Sequence, residues 1–152
     1  MANHLKKFYF SNLPKDILDM LTLISNELGI ANLAIIGGVV RDELIHYYLK
    51  EPLNPFQDID IVVEGPISTL IKRIQEKIGP ERVTLIRENK IYQTAEITID
   101  QIPFDIACTR KETYFTPAEN PKIINTNLLE DLKRRDFTIN TIAFEISNKE
   151  LI

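Results

Sequence analysis

The stretch from Ile36 to Val63 constrains the fold of this chain more than any other. It reads Ile-Gly-Gly-Val-Val-Arg-Asp, then a connector, then Asp-Ile-Asp-Ile-Val-Val. Leu33, Ala34, Ile35 and Ile36 form a short apolar run that stops at Gly37 and Gly38. A helical pattern follows at once, from Val39 to Leu49. The order predicts strand, glycine turn, helix. Glycines at the mouth of a helix let a ligand approach the backbone, and the free N–H groups there favour phosphate. In the strand that follows, alternation puts Asp58 and Asp60 on one face and Ile59, Ile61 and Val63 on the other. A phosphate cradle beside two carboxylates on a strand face implies a metal-dependent site acting on a nucleotide.

Each half also has a plainer explanation. A Gly-Gly between strand and helix is often only a tight turn. This one is not a dinucleotide fingerprint, because no third glycine follows, and it lacks the lysine of a P-loop. Asp-x-Asp is common in solvated loops. Here, however, the apolar run after it implies a buried strand, where two close carboxylates repel and usually need a cation.

The chain has 152 residues, enough for one domain with a real core. Its formal net charge is −4, whereas a module that grips nucleic acid unaided is more often basic. A nucleic-acid partner must therefore be held by a local patch or by residues outside this chain. One cysteine, Cys108, excludes an intramolecular disulfide and a cysteine-rich zinc site, and reads as a buried small hydrophobe. His4 and His46 leave little material for a histidine metal centre. No apolar run is long enough to span a membrane, and the N-terminus lacks a signal peptide's apolar segment, so the expected compartment is the cytoplasm.

Pro14 and Gly29 bracket a first helix with Ile17, Leu21, Ile24 and Leu28 on one face. Residues 50–57 carry Pro52, Asn54 and Pro55 and form a loop. Gly65-Pro66 opens a third helix, apolar at Ile67, Leu70, Ile71, Ile74 and Ile78, and Gly79-Pro80 closes it. Strands are expected at 83–86, 94–99 and 103–108, with a polar turn at 87–90. Asp105 stands between Phe104 and Ile106 and so faces the other way. It fits a wet edge strand and a third carboxylate beside Asp58 and Asp60 equally well. Residues 109–122 read as a long loop. Asn125 or Thr126 is a candidate cap for a short helix holding Glu130 and Asp131, and Thr138 a second cap. Arg134, Arg135, Asp136, Thr138 and Asn140 make a donor-rich patch anchored by Phe137, Ile139 and Ile142, and arginine forks suit phosphate or carboxylate.

Three motifs now stand in order: Gly37-Gly38-Val39-Val40-Arg41-Asp42, Asp58-Ile59-Asp60, and Arg134-Arg135-Asp136-Phe137-Thr138-Ile139-Asn140. Between them lie Gln93-Thr94-Ala95, Phe104-Asp105-Ile106-Ala107 and Arg110-Lys111-Glu112-Thr113-Tyr114. The set resembles the head domain of the class II tRNA nucleotidyltransferase and poly(A) polymerase family, from about Leu33 to Phe144. Each motif alone is weak; the ordered set is specific.

The resemblance implies an α+β fold of the polymerase-β-like kind, a mixed, largely antiparallel sheet packed against helices. It implies transfer of CMP or AMP from CTP or ATP to the 3′ end of tRNA or another RNA. By carry-over, Asp58 and Asp60 are catalytic magnesium ligands, and Asp105 takes the place of the third carboxylate. Two magnesium ions would clamp the displacement at the α-phosphate, so the three carboxylates are expected to converge within reach of one ion site. Gly37, Gly38, Arg41, Asp42 and Arg135 match nucleotide-binding positions. Asp136 and Asn140 would help hold the incoming nucleotide, and Arg110, Arg134 and Thr138 are further candidate contacts.

Two departures qualify the match. The link before Asp58 is longer than usual, with Tyr47, Tyr48 and two prolines. The family's base-reading Glu-Asp-x-x-Arg element and its neck, body and tail are not found in residues 1–152. The expectation is a single head domain over 1–152, as a fragment or as half of a split enzyme. Alternatives are a poly(A) polymerase head, a relative acting on a small molecule or protein, and a non-catalytic nucleotide-binding module.

Overall fold

Val62 and the four residues of Leu33–Ile36 are buried whichever way they point, so apolar layers must cover both faces of the sheet at its centre. The structure, a computed structural model, describes residues 10–28, 32–53, 55, 58–135 and 141–152. The elements run α1 (Lys15–Leu28), β1 (Leu33–Ile36), α2 (Gly38–Leu49), β2 (Ile59–Val63), α3 (Ile67–Ile78), β3 (Val83–Asn89), β4 (Thr94–Ile99), β5 (Ile102–Cys108), β6 (Arg110–Thr113), β7 (Lys122–Asn125), α4 (Leu128–Lys133), β8 (Ala143–Glu145) and β9 (Glu150–Leu151). Seven strands form one sheet in the order β3-β4-β5-β2-β1-β8-β9. Its described pairs are antiparallel except β2 with β5. This is the mixed, largely antiparallel α+β architecture expected from the resemblance.

One face of the sheet holds the main core. Ile17, Leu21 and Ile24 of α1 and Leu70, Ile71 and Ile74 of α3 pack there against Leu33, Ile35, Ile59, Ile61, Phe104 and Ile106. Cys108 is buried in the same layer, as its apolar setting predicted. On the other face, Leu128 and Leu132 of α4 cover Ala34, Ile36, Val62 and Ala143. Among the described residues that short helix covers the β2-β1-β8 side, with Ala107 of β5 packed against it, and a cleft lies over the β5-β4 side. Glu43 of α2 is a buried carboxylate, satisfied by the N–H groups of Ser11 at 2.7 Å and Asn12 at 3.1 Å. It fastens the segment leading into α1. Among the described residues no helix is long and apolar enough to cross a membrane.

Three expectations are corrected. The strand expected to end at 86 runs to Asn89, and the turn falls at 90–93. A register shift between Leu85 and Arg87 explains the difference. Leu85 pairs with Ile97 and Arg87 with Glu96, so Ile86 is an inserted residue that breaks the alternation. The stretch 109–122 is not all loop: β6 pairs with β7, Arg110 opposite Asn125 and Thr113 opposite Lys122. Its residues are mostly polar, so no apolar period announces it. The cap of α4 is Asn127, whose side chain accepts the Glu130 N–H at 2.9 Å, in place of Asn125 or Thr126. The second cap, Thr138, and the anchors Phe137 and Ile139 lie outside the described residues; Ile142 packs against the main core.

Candidate active site

Asp60 takes its position from the alternation of β2. Ile59, Ile61 and Val63 enter the main core, which turns Asp60 and Val62 to the opposite face. Asp58 stands just before the strand and is exposed. On one side Asp60 pairs with Ile36 of β1, and Gly37 follows directly. Gly37 has φ +77°, and a Cβ there would lie 3.1 Å from the Asp60 carboxylate. Glycine is thus required both by the backbone conformation and by the close approach to the carboxylate. On its other side Asp60 pairs with Asp105 of the parallel strand β5. Asp105 pairs with Glu96 of β4, and Glu96 with Arg87 of β3. One row across four strands therefore reads Asp60, Asp105, Glu96, Arg87, and the last two form an ion pair. The inserted Ile86 brings Arg87 opposite Glu96; regular alternation would have put Ile86 there.

This row lines an open cleft of about 450 Å³, and Arg135 lines it too. Burial raises Asp60 from an ordinary 3.8 to about 6, with Asp58 and Asp105 adding repulsion and Arg135 opposing them. Asp105 is raised by burial, then by Asp58 and Glu96, while Arg87 draws it down. Asp58, Asp60 and Asp105 thus share one electrostatic field. Among the described residues no three His, Cys, Asp or Glu side chains are already gathered as a metal-ligand set. The donor set itself fits magnesium: hard carboxylate oxygens whose mutual repulsion a divalent cation relieves.

The other sequence candidates divide. Gly38 and Arg41 begin α2, where a Cβ at Gly38 would lie 3.5 Å from Arg41 Nη2. Arg41 Nε donates to Asp42 at 2.8 Å, and neither residue lines the cleft. Arg110 and Arg134 are engaged elsewhere. Arg110 donates to the Tyr92 carbonyl at 2.8 Å and to Glu112 at 3.1 Å, and Arg134 Nε donates to the Arg110 carbonyl at 2.8 Å. Asp136 and Asn140 lie outside the described residues. Sequence reasoning missed Arg87, Glu96 and, above all, Asp131. The last had a readable signal: it stands three and four residues before Arg134 and Arg135, the spacing of helical ion pairs.

The raised Asp60 carries a stability prediction. A carboxyl with a raised folded-state value stabilises the fold fully below its unfolded value, about pH 4, and loses that contribution as pH rises through about 6. Asp60→Asn, always neutral, is therefore expected to stabilise the fold at pH 7.5 and to change little at pH 4. With solvent screening in an open cleft, the gain is on the order of 1 kcal/mol. Thermal unfolding at the two pH values checks it; an equal effect at both would contradict the shift.

The sheet order, the glycine turn against Asp60 and the paired carboxylates make this cleft the candidate active site. The poly A polymerase head domain family matches residues 33–152, and the chain belongs to that family. An A-adding tRNA nucleotidyltransferase of Aquifex aeolicus is 37% identical over 113 residues, covering 74% of this chain and 12% of that protein. A CC-adding tRNA nucleotidyltransferase of Deinococcus radiodurans is 32% identical over 115 residues, covering 75% of this chain and 28% of that one. Among solved structures, a CCA-adding enzyme in an apo form superposes with a TM-score of 0.72 at 28% identity, over 92% of this chain and 32% of that chain. A tRNA nucleotidyltransferase complexed with a primer tRNA and an incoming ATP analog gives 0.65 at 31%, over 87% of this chain and 33% of that chain. This chain thus spans about an eighth to a third of the proteins it matches.

Proposed function

We propose that this chain is the catalytic head of an RNA nucleotidyltransferase that adds CMP or AMP, from CTP or ATP, to the 3′ end of tRNA in the cytoplasm. The observation that carries the proposal is the pairing of Asp60 with Asp105 on adjacent parallel strands, in a cleft that Arg135 also lines. The names of the relatives favour tRNA over a poly(A) tail as the product class.

In this proposal Asp58, Asp60 and Asp105 hold two magnesium ions. Bound there, magnesium supplies Lewis-acid activation of the RNA 3′-hydroxyl and neutralises charge on the departing pyrophosphate. The chain's own residues do the rest. The Gly37-Gly38 turn lets phosphate oxygens approach the backbone beside Asp60, and Arg41 steadies that end of the nucleotide. Arg135 offers N–H donors to phosphate from the cleft wall. Asp136 and Asn140 complete the hold on the incoming nucleotide. The chemistry needs positioning and charge stabilisation with no covalent enzyme intermediate. Residues 1–152 are proposed to form this head alone, with the grip on tRNA supplied by other domains.

Phosphate and sugar are common to all nucleotides, so this chain is expected to bind CTP and ATP weakly and within about threefold of each other. With a net charge of −4 it is expected to bind tRNA poorly at physiological salt. Calorimetry with CTP, ATP and tRNA in the presence of Mg²⁺ tests both points. A strong preference for CTP, or tight tRNA binding, would place base choice or RNA grip inside the head and overturn this division of labour.

A further inference from the structure

Asp131 is a fully buried carboxylate within α4, with 0% of its surface exposed. An aspartate almost never occupies such a place unless its oxygens are fully engaged. Here they divide the work. Oδ1 accepts the Arg110 N–H at 2.9 Å and Arg134 Nη2 at 2.8 Å, with Arg134 Nε at 3.2 Å. Among the described residues Oδ2 accepts only from Arg135, through Nε at 3.0 Å and Nη2 at 2.7 Å. Of the five N–H donors of Arg135, two are thereby committed, and the guanidinium plane is fixed. The three remaining donors belong to a side chain that lines the cleft with Asp60.

The platform under Asp131 is itself tied to the catalytic strand. Glu64, one residue past β2, accepts the N–H of Leu128, the first residue of α4, and the side-chain amide of Asn32 at 2.8 Å. Leu128 and Leu132 seat the same helix on Val62. Asp60 near the start of β2 and Arg135 beyond α4 are therefore referenced to one strand.

We propose that Asp131 is a positioning residue for Arg135: it holds the guanidinium by one fork so that the free donors meet a nucleotide phosphate in the cleft without a search. The proposal rests on the reading of the cleft as a nucleotide site. A guanidinium already ordered loses less rotamer entropy on binding than a mobile one, so the fork should strengthen phosphate binding even though it places a negative charge nearby.

Asp131→Asn tests this selectively. The amide oxygen can keep the Arg110 N–H and Arg134, but the NH₂ group that replaces Oδ2 cannot accept from Arg135. In this 152-residue chain, D131N and R135A are each expected to weaken Mg²⁺–ATP binding about tenfold by calorimetry, and the double variant to match R135A within about twofold. A merely structural role for Asp131 would instead make the two losses multiply. The Arg135 Nε–H resonance in ¹⁵N NMR, assigned by its loss in R135K, should be protected from exchange in the parent chain and lose that protection in D131N. Should D131N fail to fold, R135K carries the test, since it keeps the charge and removes the fork; it is expected to lose most of the affinity that R135A loses. Multiplying losses, tighter binding in D131N, an unchanged Arg135 signal, or parent-like affinity in R135K would each overturn the proposal. Absence of any ATP binding by the parent chain would instead count against the nucleotide reading, while the NMR signal still decides the fork.

Discussion

Asp60→Ala is expected to abolish nucleotide transfer by the complete enzyme, with a loss of at least about a thousandfold, or about 4 kcal/mol of transition-state stabilisation. Asp60 is the carboxylate on which the site's geometry converges. It pairs with Asp105 across β5, has Gly37 against its carboxylate, and shares its cleft with Arg135. In the proposed mechanism its removal would take away a magnesium-holding oxygen between Asp58 and the paired Asp105. The fold should survive, because burial and two neighbouring carboxylates make ionised Asp60 a cost to the folded state. Incorporation of labelled nucleotide into RNA, measured beside circular dichroism, separates the two effects. Transfer at more than a few per cent of the parent rate, from a folded variant, would remove Asp60 from the chemistry.

Asp131→Ala is expected to give the largest stability loss of any single substitution near the site, about 3 kcal/mol. The carboxylate is buried, and burial alone would raise it. The Arg110 N–H and the two arginine forks more than offset that and hold it below the usual carboxylate range. Alanine leaves the Arg110 N–H without its acceptor and sets two guanidinium groups side by side with no anion between them. The arginines are about a quarter exposed and can turn to water, which keeps the loss from growing further. By linkage, the contribution of the depressed Asp131 is present above its unfolded value, about pH 4, and is lost as pH falls further. Chemical denaturation at pH 7 measures the difference, and a change below about 1 kcal/mol would mean that the network is not structural.

The parts of the site that rest on local pattern were legible in the sequence. Alternation in β2 announced that Asp60 faces away from Ile59 and Ile61, and the same rule turned Asp105 away from Phe104 and Ile106. The Gly-Gly turn was legible because few residues other than glycine tolerate the backbone of position 37. The parallel pairing of Asp60 with Asp105 was not, since strands 45 residues apart in the chain choose their register through the core. Residue chemistry alone left Asp105 evenly placed between a wet edge and a third carboxylate.

Arg87 was hidden by an insertion. Strict alternation predicts Ile86 on the cleft face, and only the register shift reverses it. The β6-β7 hairpin was missed because it is held by backbone pairing, and its mostly polar side chains show no apolar period. Asp131 was visible at helical spacing from Arg134 and Arg135, but nothing in the sequence said that it is buried. Residue chemistry alone suggested a nucleotide and metal pattern; the RNA end as acceptor came from the ordered motif set, which residue physics does not supply.

The most direct measurement is of the product. The complete enzyme is given tRNA lacking its terminal CCA, with labelled CTP or ATP and Mg²⁺, and the 3′ ends are sequenced. CMP or AMP is expected to be joined to the 3′-hydroxyl, with transfer lost on chelation of the metal and in the Asp60→Ala variant. An unextended tRNA end in the presence of a folded, nucleotide-bound enzyme, or extension that persists without Asp60, would contradict it.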